Sequence, residues 1–100
     1  MSAYNIVISG GRVIDPESGL DSIKNVSISN GKIIEISDNP LAAEETIDAA
    51  GQVVSPGFID LHCHPHDTDI FTVQAQDGVT TTLELEVGTG DINSFYKKWE

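Results

Sequence analysis

In the first half of the chain, apolar positions recur in short runs broken by turn residues, a rhythm that predicts strands. Tyr4 to Ser9 carries Ile6, Val7 and Ile8, Gly10-Gly11 interrupts it, and Arg12-Val13-Ile14 resumes before a loop punctuated by Asp15-Pro16 and Ser18-Gly19. Val26-Ser27-Ile28-Ser29 and Lys32-Ile33-Ile34-Glu35-Ile36 flank Asn30-Gly31. Asn and Gly tolerate the positive φ angles of a type I′ turn, so a two-residue hairpin is predicted there. That turn sets Ile28 opposite Ile33 and leaves Ile34 and Ile36 on the face of Ser27 and Ser29, which suggests a strand covered on both sides. After a loop at residues 40–45, Thr46-Ile47-Asp48 and Gln52-Val53-Val54 predict two more short strands, and Ser55-Pro56-Gly57 marks a boundary between segments 1–54 and 55–100.

Beyond the boundary the pattern alternates strand, helix, strand, helix, as in a parallel α/β unit. A buried strand is expected from Phe58 to Cys63. A helix should start near Thr68 or Asp69, carry Ile70, Phe71, Val73 and Ala75, and stop at Gly78. Val79 to Val87 reads as the second strand. Asp91 can cap a last helix, whose Ile92, Phe95, Tyr96 and Trp99 form one apolar stripe. Two parallel strands with two helices make an incomplete layer, so the chain is expected to be the N-terminal portion of a longer protein.

Composition narrows the partners. Sixteen acidic residues against five basic ones give a net charge of −11, which repels nucleic-acid phosphates and anionic membrane surfaces alike. No block of like charges stands out, so the acidity reads as a solvated surface. No apolar run is long enough to span a bilayer, and Met1-Ser2-Ala3-Tyr4-Asn5 lacks the layout of a secretory signal, so a cytoplasmic location is expected. Cys63, the single cysteine, has no partner for an internal disulfide.

The candidate chemistry lies in Pro56-Gly57-Phe58-Ile59-Asp60-Leu61-His62-Cys63-His64. On a strand, side chains two apart project from one face about 7 Å apart, so His62 and His64 can converge on one metal ion. A bare pair of this kind is weak, since strand-end histidines are often only hydrogen-bonded surface residues. Cys63 points the other way, toward a packing role. Glu84 and Glu86 share one face of the second strand with Thr80 and Thr82. Either carboxylate can pair with a basic residue or face solvent. His66 and Asp67 can join a second metal, a protonated His66 can bind a substrate carboxylate, or Asp67 can merely cap the following helix. No nucleophile elbow or phosphate loop is present.

With these residues in view, the chain resembles the amidohydrolase superfamily of metal-dependent hydrolases. Gly11-Arg12-Val13-Ile14-Asp15-Pro16, Asn30-Gly31-Lys32-Ile33 and Asp48-Ala49-Ala50-Gly51 resemble its N-terminal β-sandwich segment. The run from Pro56 to His64 is similar to its first-strand metal motif, and Gly78-Val79-Thr80-Thr81 to its second barrel strand. Leu83-Glu84-Leu85-Glu86 is most similar to the N-acyl-D-amino-acid deacylase branch; some of those relatives place a metal-binding cysteine nearby, and since this chain has none there, the resemblance implies that Glu86, nearer the strand end, can substitute as a ligand. The resemblance implies a β-sandwich segment followed by the first β/α units of a (β/α)8 TIM barrel. It also implies one or two divalent ions, usually zinc, held by His62 and His64, and a small-molecule amide or cyclic amide as substrate. By the same resemblance the general base lies beyond residue 100, the fragment alone is inactive, and the full-length protein can form an oligomer. The rival readings are a dihydroorotase- or hydantoinase-like cyclic amidase, and a non-catalytic metal-binding or interaction module.

Overall fold

A computed structural model describes residues 4–64 and 67–98. The chain forms two compact units, Met1–Pro56 and Gly57–Glu100.

The first unit is one mixed five-stranded sheet: β1 (Tyr4–Asp15), β2 (Leu20–Ser29), β3 (Lys32–Ser37), β4 (Ala43–Asp48) and β5 (Val53–Val54). The strand order is β3-β2-β1-β4, with β5 also on β1. Gly10-Gly11 does not end the first strand. It forms a bulge, with Gly10 at φ 71°, and pairing with β2 resumes at Gly11↔Lys24. Asn25 makes this possible: its Oδ1 accepts from Ser9 Oγ at 3.0 Å and from the Gly10 amide at 3.1 Å, supplying the partner a bulged N–H would lack. Asp15 then closes the turn into β2, accepting from the amides of Glu17 and Ser18.

The hairpin at Asn30-Gly31 is present, with φ of 52° and 71° at the two turn residues. Its register departs from the simple alternation. Ile28 faces Ile33 as expected, but Ser27 pairs with Glu35 and Val26 with Ile36, so Ile34 is an extra, bulged residue. The bulge returns Ile36 to the row of Val26 and Ile28, away from Ser27 and Ser29. β3 is not covered on both sides in this unit: Ile33, Ile34 and Ile36 are all exposed.

β4 begins at Ala43, three residues before Thr46, and both β4 and β5 run parallel to β1. They lie end to end along its edge, and residues 49–52 step across the bulge: the Ala49 amide donates to Ser9 O, and the Arg12 amide to Gln52 O, each at 2.9 Å. Gly11 is needed at this crossing, because a Cβ there would sit 2.5 Å from Val54 Cγ2 and 3.0 Å from Ala49 Cβ. The buried apolar residues of the unit are Val7, Val13, Val26 and Ala49. Each buried valine contributes about 1.5–3 kcal/mol. A sandwich needs a second sheet, and the described residues of this unit form a single sheet.

The second unit is built from β6 (Phe58–Asp60), α1 (Thr68–Gln76), β7 (Val79–Thr82) and α2 (Ile92–Lys97), with β6 and β7 parallel. The strand–helix–strand alternation expected from the sequence is there, with shorter strands. β6 stops at Asp60 and does not reach Cys63, because Asp60 Oδ1 captures the His62 amide at 3.0 Å and bends the chain. Phe58, Ile59 and Leu61 are exposed, against the expectation of a buried strand, while Cys63 is buried. β7 stops at Thr82, well short of Val87, as the following residues turn around the Glu84 side chain. α1 starts where Asp67 caps it, accepting from the amides of Asp69 and Ile70, and ends before Gly78 at φ 86°. Asp91 caps α2 through the Ser94 amide. Ile92 and Tyr96 on its stripe are exposed, and Trp99 lies outside the described residues. No helix among the described residues is long and apolar enough to cross a membrane.

Candidate metal centre

Four side chains of the second unit meet beyond the ends of β6 and β7. His62 and His64 follow Asp60, which fixes the first of them: Oδ1 holds the His62 amide, and Oδ2 accepts from Gln74 Nε2 on α1 at 2.8 Å. The chain has left regular strand geometry, yet the two imidazoles still face one region. Their Nε2 atoms are 3.0 Å apart, and the rings are edge-on with centroids 4.9 Å apart.

From the other strand, Glu86 Oε2 lies 2.6 Å from His62 Nε2 and 3.0 Å from His64 Nε2. The other face of His64 is taken by Glu84, whose Oε2 is 2.7 Å from Nδ1. The Glu84 side chain is only 13% exposed, against 64% for Glu86. The turn of the chain after Leu83 brings the two carboxylates to different nitrogens of one ring.

The electrostatics follow from these contacts. The hydrogen bond to Glu84 raises the His64 pKa above its usual 6.5, desolvation opposes this, and the charges of both carboxylates assist it. For Glu84 the largest influence is desolvation, which pushes its pKa up. The His64 hydrogen bond, the amides of Val87 and Glu86 and the His64 charge together outweigh it and bring the pKa to about 2.

The donor set fits a divalent cation. A carboxylate only accepts, so the Nδ1 facing Glu84 carries a hydrogen, and the neutral ring then presents a lone pair at Nε2. One ligand atom each from His62, His64 and Glu86 lie within 4.8 Å of one another, and three lone-pair donors so close need a proton or a cation among them. Two imidazoles and one carboxylate suit zinc and its first-row neighbours.

The structure thus brings together His62, His64 and Glu86, the three residues singled out as candidate ligands. Asp67 serves as a helix cap and is not part of the cluster, and His66 lies outside the described residues. Sequence reasoning missed the bracing by Asp60, although its place two residues before His62 on the same strand face was a signal. It also left open which base Glu84 would meet.

No family model matches the chain. A dihydroorotase of Streptococcus pneumoniae is 43% identical over 90 residues, covering 80% of this chain and 21% of that protein. A dihydroorotase of Trichlorobacter lovleyi is 48% identical over 65 residues, covering 63% and 15%. Among solved structures, a D-aminoacylase with a binuclear metal center is 34% identical with a TM-score of 0.70, over 81% of this chain and 18% of that one. The L-hydantoinase of Arthrobacter aurescens is 25% identical with a TM-score of 0.71, over 95% and 24%. With the histidine pair and the parallel strand–helix–strand unit that carries it, these likenesses place the chain in the amidohydrolase superfamily. Dihydroorotases, hydantoinases and D-aminoacylases are among the proteins it resembles, and it spans 15% to 21% of the length of the two dihydroorotases.

Proposed function

We propose that this chain carries the first metal-binding elements of a hydrolase that cleaves an amide or cyclic amide C–N bond other than a peptide bond. The observation that carries the reading is the convergence of His62 Nε2, His64 Nε2 and Glu86 Oε2 on one point. In this reading those three residues hold the cation, and the second unit is the opening of a (β/α)8 barrel preceded by part of a β-sandwich. The exposed Ile33, Ile34 and Ile36 of the first unit support a further layer over that sheet.

A divalent ion, with zinc the first choice, supplies a more acidic bound water and a polarised carbonyl. The chain's own residues orient the site. Glu84 keeps the hydrogen of His64 on Nδ1, Asp60 fixes the backbone at His62, and the exposed Glu86 carboxylate closes the donor set from the second strand. The net charge of −11 supports a small-molecule substrate in preference to nucleic acid or an anionic membrane, in keeping with a cytoplasmic enzyme.

Two substrate classes stand side by side. The dihydroorotase relatives favour a cyclic amide, and the D-aminoacylase structure favours an N-acyl-D-amino acid. Assaying the zinc-loaded full-length protein, which would carry the general base that the resemblance puts beyond residue 100, against both classes separates them. Cleavage of neither class by full-length protein with zinc bound at His62 and His64 would leave a non-catalytic metal-binding module.

A further inference from the structure

We propose that Glu84 is the positioning residue of this centre: one carboxylate oxygen sets the tautomer and rotation of His64, and the other holds the backbone that presents Glu86. Both halves are geometric. Oε2 lies 2.7 Å from His64 Nδ1, while Oε1 accepts from the amides of Glu86 at 3.2 Å and Val87 at 3.0 Å. Both oxygens are therefore committed, and the side chain is largely enclosed at 13% exposure, so Glu84 is not itself a ligand. Glu86, at 64% exposure, is left to offer its carboxylate.

The consequence reaches two of the three donors. With Nδ1 donating to Glu84, the remaining lone pair of neutral His64 sits on Nε2, the atom that faces His62 and Glu86. The turn at residues 84–87 places Glu86 within reach of both rings because its amide is tied to Glu84. One side chain thus couples the tautomer of a first-strand ligand to the placement of a ligand that follows the second strand. The inference rests on the metal reading of His62, His64 and Glu86.

Zinc titration calorimetry and 15N NMR of the histidine rings, on the chain and its Glu84→Ala, Glu84→Gln and His62→Ala variants, test it. Glu84→Ala should weaken zinc binding by about 10- to 100-fold, the usual effect of removing an outer partner. In the metal-free protein, above the pH at which His64 titrates, it should also release His64 from the Nδ1–H form. Glu84→Gln retains an oxygen for His64 but has no second acceptor for the amides of residues 86 and 87. It should keep the Nδ1–H form and bind zinc with intermediate affinity. Unchanged zinc affinity in Glu84→Ala, or a retained Nδ1–H tautomer, would overturn the proposal. If Glu84→Ala does not fold, Glu84→Gln decides: a kept tautomer with weakened binding supports the role, and wild-type affinity contradicts it. Full zinc affinity in His62→Ala would strike the underlying metal reading instead, while the metal-free tautomer still tests the Glu84–His64 arm.

Discussion

Glu86 Oε2 stands 2.6 Å from Nε2 of His62, joining a residue just past the first parallel strand to one beyond the end of the second. The two are separated by the whole of α1, so the contact depends on the parallel pairing of β6 and β7. Parallel strands end on the same side, and residues that follow each of them can meet there.

If these side chains grip a cation, removing any one should be felt directly. His62→Ala and His64→Ala are each expected to weaken zinc binding by more than about tenfold, since even outer-shell losses reach that size. Glu86→Gln keeps the shape but loses the charge and should also weaken binding. Calorimetric titration checks all three, and wild-type affinity in both histidine variants would contradict the assignment.

Metal and protons should compete at His64. Its pKa is raised above 6.5 chiefly by the hydrogen bond to Glu84, so at pH 6.5 and below a cation must displace a proton. Zinc affinity is expected to climb with pH until His64 has titrated and then level off. Proton release measured in buffers of different ionisation enthalpy reads this out, and binding without proton uptake or release below pH 6.5 would count against it.

Without metal, the Glu84–His64 pair gives stability its own pH window. The Glu84 pKa falls from 4.5 to about 2, so its contribution is present above 4.5 and is lost as pH falls toward 2. The His64 pKa is raised, so its contribution is complete below 6.5 and is lost as pH rises through the folded value. Both act fully between these limits. Thermal unfolding of the metal-free chain should show the advantage of wild type over Glu84→Gln greatest there and shrinking on either side, and an advantage independent of pH would refute the pairing.

Gly11→Ala tests the crossing in the first unit. The added methyl would meet Val54 Cγ2 at 2.5 Å and Ala49 Cβ at 3.0 Å. Overpacking of this kind costs about 1–3 kcal/mol. Denaturant unfolding should register the loss, and a variant as stable as wild type would mean that the backbone there shifts freely.

Several features could be read from local chemistry alone. Asn30-Gly31 specifies its turn because both positions need positive φ, and Asp67 and Asp91 announce helix starts by their own capping. The histidine pair was legible too, although the expected regular strand ends at Asp60 and the rings converge from a bent segment. What stayed hidden depends on partners far along the chain. The strand runs through Gly10-Gly11 because Asn25 satisfies the bulge, and β4 pairs parallel to β1, which no local pattern encodes. The second bulge, at Ile34, lies within one hairpin and reversed the face of Ile36 that simple alternation from the turn predicts. Glu84 could be seen as a carboxylate needing a counter-charge, but only the fold shows that His64 is the base it meets.

The most direct test is a crystal structure of the zinc-soaked protein, with anomalous scattering recorded at the zinc edge. One strong peak is expected within bonding distance of His62 Nε2, His64 Nε2 and a Glu86 carboxylate oxygen, with Glu84 still on His64 Nδ1. A map with no zinc there, or with the two imidazoles turned away from each other around an ion bound elsewhere, would contradict it.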